Sequence, residues 1–390
     1  MKGKKFLLLG FLLIISAGLL IASCEKAPPE LTGEPYVIGG IFSVTGRASF
    51  LGEPEKNSME LYADIINKEG GINGHPVEVV IYDDEGDATK SVTLVKKLIE
   101  KDNVLAIIGP SLSGNTLSII PVIEEKEVPL VSCAASVKIT QPIKKWVFKT
   151  PQTDVMAVEK IYDYLIANDI KKIAIITVAN GFGNSGKEQL KALAPDAGIE
   201  IVSEESFGPE DTDMTTQLTV IKGTDAEAIV CWGTNPGPAI VAKNIVQLDI
   251  KIPLFQSHGV ASPKFIEIAG DAANGIILPS GKILVAKELP KSDPQRKVLL
   301  SYKKLYEDAF EGSNVSSFGG HAWDAMAMII EALKVSGADR ALLRDEIEKT
   351  TEYIGIHGIF NMSPEDHTGL SKETAFVMLK IEDGKWVIIE

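Results

Sequence analysis

The sequence predicts an α/β protein of two lobes, each an open sheet doubly wound with helices, on three observations. Short β-branched apolar runs alternate with amphipathic helical stretches almost throughout, the pattern of parallel sheets covered on both faces. The alternation breaks at "FKTPQTD", residues 148–154, and a second, similar series then begins. Finally, 390 residues with 45% hydrophobic content are too many for one simple core and enough for two.

The first series opens with a strand at Val37–Phe42 and a helix at Glu55–Asn67, whose Met59, Tyr62, Ile65 and Ile66 share a face. Val77–Tyr82 is the next strand, and Asp87 can cap a helix over Ala88–Lys101 that turns Val92, Val95, Leu98 and Ile99 inward. A strand at Val104–Ile108, a helix at Thr116–Glu127 and a strand at Pro129–Ser132 complete it. The second series reads as a helix at Ala157–Asn168, strands at Lys171–Ala179 and Ile199–Glu204, a helix near Met214–Lys222 and a strand at Ala228–Trp232. A helix at Val315–Leu333 and the late run Ala375–Ile381 belong to one lobe or the other.

The N-terminus predicts export. Three lysines within Met1–Lys5 precede the apolar run Phe6–Ile21, and small residues lead to Cys24, the anatomy of a secretory signal that is excluded from the fold. The junction resembles a bacterial lipobox, which makes residues 1–23 a signal peptide and Cys24 the lipid-bearing first residue of the mature chain. The polar, proline-rich residues up to 33 then form a flexible tether. Cys133 and Cys231 lie in apolar runs with no metal-ligand spacing, so each is expected as a buried free thiol. A net charge of -14 argues against nucleic acid, which demands a basic face.

The stretch "NGFGNSGKEQ", Asn180–Gln189, fits two nucleotide-binding patterns at once, G-x-G-x-x-G and G-x-x-x-x-G-K, between a strand and a helix. The P-loop reading fails at Glu188, where a magnesium-holding hydroxyl belongs. For a dinucleotide, Glu200, Glu204 and Glu205 are placed to meet a ribose, but such turns recur in open sheets for backbone reasons alone. Catalytic chemistry finds no better footing. "GPSLSG" has Ser113 where a nucleophile elbow needs glycine, and the five histidines form no ligand pair at helical spacing. "YDDEGD", Tyr82–Asp87, lacks the alternating ligands of a calcium loop and reads as a solvated, helix-capping turn. No cofactor is expected, and the chain reads as a binder rather than an enzyme.

"NKEGGINGHPVEVVIYDDEGD" at Asn67–Asp87, followed in order by "VLAIIGPSLSGNT", "VPLVSCAAS" and "IAIITVANGFGNSG", resembles the leucine/isoleucine/valine-binding family of ABC-transporter solute receptors over nearly the whole chain after the tether. The resemblance implies the type I periplasmic binding protein fold, two α/β lobes joined by three crossing strands and closing over a small ligand. It places lobe one at 34–150 plus 279–374 and lobe two at 151–278 plus 375–390. It also implies a partner, an ABC permease, with an extracellular ligand sensor of the same fold as the alternative.

Carried over residue by residue, the resemblance gives Ser113 a hydroxyl for the ligand carboxylate and makes Ala134, Ala135 and Ser136 an anion cradle of backbone N–H groups and the Ser136 hydroxyl. Phe182 stands where amino-acid receptors usually carry Tyr, packing on the ligand, and Phe318 at a position that contacts ligand side chains. Two departures bear on ligand identity: His258 replaces the acidic residue that holds an ammonium, and Thr234 replaces a frequent Tyr. An imidazole is a poor partner for ammonium but can donate to a carboxylate, hydroxyl or carbonyl. An apolar cleft with one anion cradle suits an aromatic or branched aliphatic carboxylate as well as an amino acid.

Overall fold

The computed structural model describes residues 31–389. The signal peptide, Cys24 and the tether up to residue 30 lie outside the described residues. In chain order, β1 (Tyr36–Phe42), α1 (Ser49–Lys68), β2 (Val77–Asp83), α2 (Ala88–Glu100), β3 (Ala106–Ile108), α3 (Ser113–Lys126), β4 (Leu130–Ser132) and β5 (Val147–Lys149) build the first sheet. Its strands are all parallel in the order β2-β1-β3-β4-β5.

The chain then crosses to α4 (Asp154–Ala167), β6 (Lys172–Val178), α5 (Gly181–Ala197), β7 (Glu200–Phe207), α6 (Thr215–Lys222), β8 (Ala228–Trp232), α7 (Gly237–Gln247), β9 (Leu254–Gln256), α8 (Pro263–Ala269) and β10 (Ile277–Ser280). The order β7-β6-β8-β9-β10 repeats that of the first sheet. A second crossing leads back to α9 (Arg296–Ala309), α10 (Ser317–Ser336), α11 (Arg340–Glu348) and the short pair β11 (Tyr353–Ile354) and β12 (Ile359–Phe360). A third, through α12 (Lys372–Ala375), brings β13 (Val377–Glu382) and β14 (Lys385–Ile388) to the second sheet, antiparallel beyond β10.

Strand periodicity sorts the cores. In β1, Ile38 and Phe42 face α1 and α10, packing on Met59, Ile329 and Leu333, while Ile41 faces α2 and α3 with Leu98 and Ile119. In β6, Ile173 and Ile175 face α4 and α5, while Ala174, Ile176 and Val178 face α6 and α7.

Several elements begin earlier than expected. Helix α1 starts at Ser49 and carries Pro54 inside it, where proline removes one backbone donor and hides the first turns from a sequence reading. The break at residues 148–154 holds the end of β5 and the Thr153 cap of α4. The turn at Asp83–Asp87 is only partly solvated. Asp87 caps α2 through Lys90 N at 2.8 Å, as expected, but Asp84 is fully buried. Its carboxyl accepts from the Ser43 hydroxyl at 2.7 Å, the Ser91 hydroxyl and Asn115 amide at 2.8 Å each, and Gly86 N–H at 2.9 Å. This residue fastens the end of β2 to the loop after β1 and to helices α2 and α3.

Asp84→Ala removes the acceptor of three buried side-chain donors, of which Ser43 loses its hydrogen bond outright while Ser91 and Asn115 keep weaker ones, and should cost about 2 to 4 kcal/mol, read as a lowered urea midpoint. Asp84→Asn, which keeps an acceptor, should lose less than half of that.

Candidate functional site

Most loops at the cleft leave the carboxyl end of a parallel strand; the exception is the start of α10, which contributes Ser317, Phe318 and His321. In lobe one, β3 leads to Ser113, β4 to Ala134 and Ala135, and β5 to Gln152; in lobe two, β6 leads to Phe182, β8 to Thr234, and β9 to His258. The strand order reverses beside β1 and beside β6, the switch points where open α/β sheets leave a crevice. Between the lobes lies a cavity of about 530 Å³ of atom-free space, part of it open to solvent. Of the residues singled out in the sequence, Ser113, Ala134, Ala135, Phe182, Thr234, His258 and Phe318 all line it.

Ser136 is the exception. It is buried, and its hydroxyl is 2.7 Å from that of Ser185 in α5 and accepts from Lys138 N–H at 3.2 Å, away from the cavity. The expected cradle is also narrower. The Ala134 N–H donates to the Ser132 hydroxyl at 3.1 Å and the Ser136 N–H to the Ser113 hydroxyl at 3.3 Å. The Ala135 N–H and the proton of Ser113 Oγ are left to face a ligand. Ser113 is also the first residue of α3, whose N-cap Leu112 offers no capping side chain, so the positive end of that helix is open.

Lobe two presents the opposite character. Asn180 caps α5 by accepting from Phe182 N–H and Gly183 N–H at 3.0 and 2.9 Å, so this helix end is already satisfied. The glycine-rich stretch is the start of the helix and not a phosphate loop. A Cβ on Gly183 would strike the Val178 carbonyl and one on Gly186 the Trp232 indole. Glu188, which ruled out a P-loop, pairs with Lys138 of lobe one at 2.6 Å.

His258 sits edge-on to Phe182, Trp232 and Phe376 at ring distances of 5.5, 5.9 and 5.6 Å. Burial first, then the nearby Lys149 and His357, pushes its pKa down to about 3. The imidazole is therefore neutral, and neither ring nitrogen has a hydrogen-bond partner among the described residues. Among the described residues no aspartate or glutamate lines this inner cavity; Glu85 and Glu210 line the adjoining outer part of the cleft.

The sequence reading missed Gln152, which it left inside the break between lobes. Its amide nitrogen donates to Ala375 O at 2.9 Å and His357 O at 3.3 Å, and Gly281 lies against it. One side chain thus ties the three crossings together at the floor of the cavity. A polar residue between Pro151 and Thr153 in a short connection was the available signal. His321 also lines the cavity and stacks on His357 at 3.8 Å, whose Nδ1 is 3.1 Å from Asp324.

The mouth is spanned by the Arg47–Glu210 ion pair and, nearer the hinge, by Lys138–Glu188. These pairs are solvent-exposed and worth at most about 1 kcal/mol each.

Because the folded protein holds His258 neutral while an unfolded chain protonates it below its ordinary value near 6.5, its contribution is complete above that value and is lost as pH falls toward about 3. By pH 5 the loss is about 2 kcal/mol. His258→Phe should flatten the fall in unfolding free energy between pH 7 and 5, measured by urea titration, by that amount; an unchanged slope would show another group responsible.

Comparisons with known proteins agree with this architecture. A model of the periplasmic binding protein family matches residues 35–385. A Leu/Ile/Val-binding protein of Rhizobium johnstonii is 28% identical over 323 residues, covering 82% of this chain and 84% of the relative. An extracellular ligand-binding receptor from Rhodopseudomonas palustris HaA2 superposes with a TM-score of 0.85 at 28% identity, covering 90% of this chain and 99% of that one. A branched-chain amino acid transporter substrate-binding protein from Streptococcus pneumoniae, solved with isoleucine, shares the fold at a TM-score of 0.81 and 23% identity, covering 90% and 97%. With the match running through both sheets and all three crossings, the chain belongs to the periplasmic binding protein family.

Proposed function

We propose that this protein is the extracytoplasmic receptor of an ABC importer, holding a small carboxylic acid without an α-amino group. The export signal at 1–23 and the lipid on Cys24 would keep it at the membrane, beside a permease. The lobes, at 34–150 plus 279–374 and 151–278 plus 375–390, would open and close about the three crossings.

The observation that carries this reading is the composition of the inner cavity, whose walls come from both lobes and include an open helix end, hydroxyls and neutral imidazoles, but no carboxylate among the described residues. The nearby carboxylates Glu85 and Glu210 line the outer part of the cleft, where Glu210 is already paired with Arg47. The cavity's two walls make a ligand enter when the lobes part and lose its water when they meet. The Ser113 hydroxyl, the Ala135 N–H and the start of α3 suit a carboxylate. Leu51, Phe182 and Phe318 suit an apolar body, and Thr234 with His258 a neutral polar substituent.

The Rhizobium relative is named for leucine, isoleucine and valine, ligands that each bring an ammonium into the dry cleft. Burying that charge without a partner costs several kcal/mol. His258, neutral and ringed by aromatic side chains, offers no such partner. The exposed pairs at the mouth contribute too little to hold the lobes shut alone, so closure would follow the ligand's own burial.

Calorimetric titration of the mature chain, stripped by unfolding and refolding, should give micromolar or tighter binding for 4-methylpentanoate or benzoate and at least about tenfold weaker binding for leucine. Leucine binding as tight as its des-amino counterpart would overturn the ligand class. Ser113→Ala should weaken the acid by about 1 to 3 kcal/mol through loss of a hydrogen bond to a charged group; unchanged affinity would remove Ser113 from the site.

A further inference from the structure

Beneath the lobe-one wall lies a charge that the reading above does not use. Lys149, the last residue of β5, is completely buried. Among the described residues, its ammonium has a single hydrogen-bond partner, the carbonyl oxygen of Ala135. That carbonyl belongs to the same peptide group as the Ser136 N–H, which donates to Ser113 Oγ at 3.3 Å. Ser113 Oγ in turn faces the cavity with its own proton.

We infer that Lys149 is the positive charge of the anion site, acting on a bound carboxylate through the Ala135–Ser136 peptide group and the Ser113 hydroxyl. The inference rests on the proposed carboxylate ligand and names the residue that makes the site select an anion. The chemistry is that of peptide resonance. A cation on the carbonyl oxygen draws the nitrogen lone pair into the C–N bond and toward the oxygen, leaving the nitrogen more positive and its N–H a stronger donor. The donor then polarises the hydroxyl it feeds, since hydrogen bonds in a chain strengthen one another at low dielectric. Lys149 is thus a positioning and polarising residue and does not touch the ligand. An ammonium in this place is costly in the empty site, and a carboxylate one peptide group away offsets that cost.

The groups around Lys149 set its titration. Burial lowers its pKa to about 7 against the opposing pull of Asp154 and Asp366. His258 and His321, which line the cavity above it, are held neutral mainly by their own burial. Glu55, buried behind Ser111, and Asp154, which accepts from Ser185, both have pKa values raised by burial and are the other groups nearby able to take up a proton. A carboxylate favours the charged ammonium, so binding should draw a proton onto Lys149, and affinity should fall as pH rises above the value in the empty site.

The test compares benzoate and 4-methylpentanoate with their uncharged primary amides, in the wild type and in Lys149→Met, by calorimetry at pH 7.5 in buffers of different ionisation enthalpy. The expected result in Lys149→Met is a loss of about tenfold or more for the acid, a change within about twofold for the amide, and disappearance of the proton uptake seen in the wild type. Uptake that survives in the variant would assign the proton to Glu55 or Asp154 and overturn the inference. So would equal losses for acid and amide, or no loss at all. A wild type that binds neither acid would overturn the carboxylate reading itself, and the relay with it. Should Lys149→Met fail to fold, nitrogen NMR of isotope-labelled lysine in the unmodified protein decides. The Lys149 titration should move up by about one unit or more on saturation with the acid and not with the amide; equal movement with both would sink the proposal.

Discussion

A Cβ placed on Gly181 would lie 2.8 Å from both the nitrogen and the Cα of Gly114, so the first turns of α5 and α3 meet across the cleft as bare backbone. Any side chain at this point would wedge the lobes apart. The rest of the site depends on that approach. It brings Phe182 of α5 and Ser113 of α3 to the same cavity, and it sets the span over which Arg47 reaches Glu210 and Lys138 reaches Glu188. The neighbouring glycines serve the same end from within lobe two. Gly183 lets α5 sit against the end of β6, and Gly186 admits the indole of Trp232, which in turn packs on His258.

Much of this was legible in the sequence and some was not, for identifiable reasons. The alternation of strands and helices, set by local periodicity, placed the strands β1, β2, β6 and β8 within a residue or two, while the starts of α1 and α5 came six to seven residues earlier than expected and α7 had no expected counterpart. The motif at Asn180–Gln189 marked a helix start at a strand end, but the purpose of its glycines depends on Gly114, Val178 and Trp232, which only the tertiary fold brings alongside. Seven of the eight expected ligand residues line one cavity because the resemblance supplied the topology. Ser136 does not, because a hydroxyl can serve a neighbouring helix as readily as a ligand, and Ser185 takes it. The burial of Asp84 was hidden for a similar reason, since its partners Ser43, Ser91 and Asn115 come from three separate segments.

The hinge was the least legible part. Three connections must each turn from one lobe to the other, and beside their apolar residues, among them Ile283, Leu289 and Phe376, polar contacts hold them in register. Gln152 performs this by donating to two carbonyls from one amide nitrogen while Gly281 presses against it. Such a residue carries no motif. It is recognisable only by its position where connections converge.

The two lobes repeat one strand order, yet their helix ends at the cleft differ in a way that assigns them different tasks. The start of α3 has no capping side chain, so lobe one concentrates positive potential where backbone N–H groups and Ser113 converge, and Lys149, buried beneath the neighbouring loop, adds its charge as a carboxylate binds. The start of α5 is closed by Asn180, and its surroundings are Phe182, Trp232 and a neutral His258. Positive potential acts over distance and needs little fit, whereas aromatic packing acts only at contact. In the proposed function the carboxylate is therefore gathered by lobe one while the cleft is open, and lobe two tests the remainder of the molecule as it closes. Charge would govern which class of solute is held, and the shape of the aromatic wall would decide which member of that class keeps the lobes together.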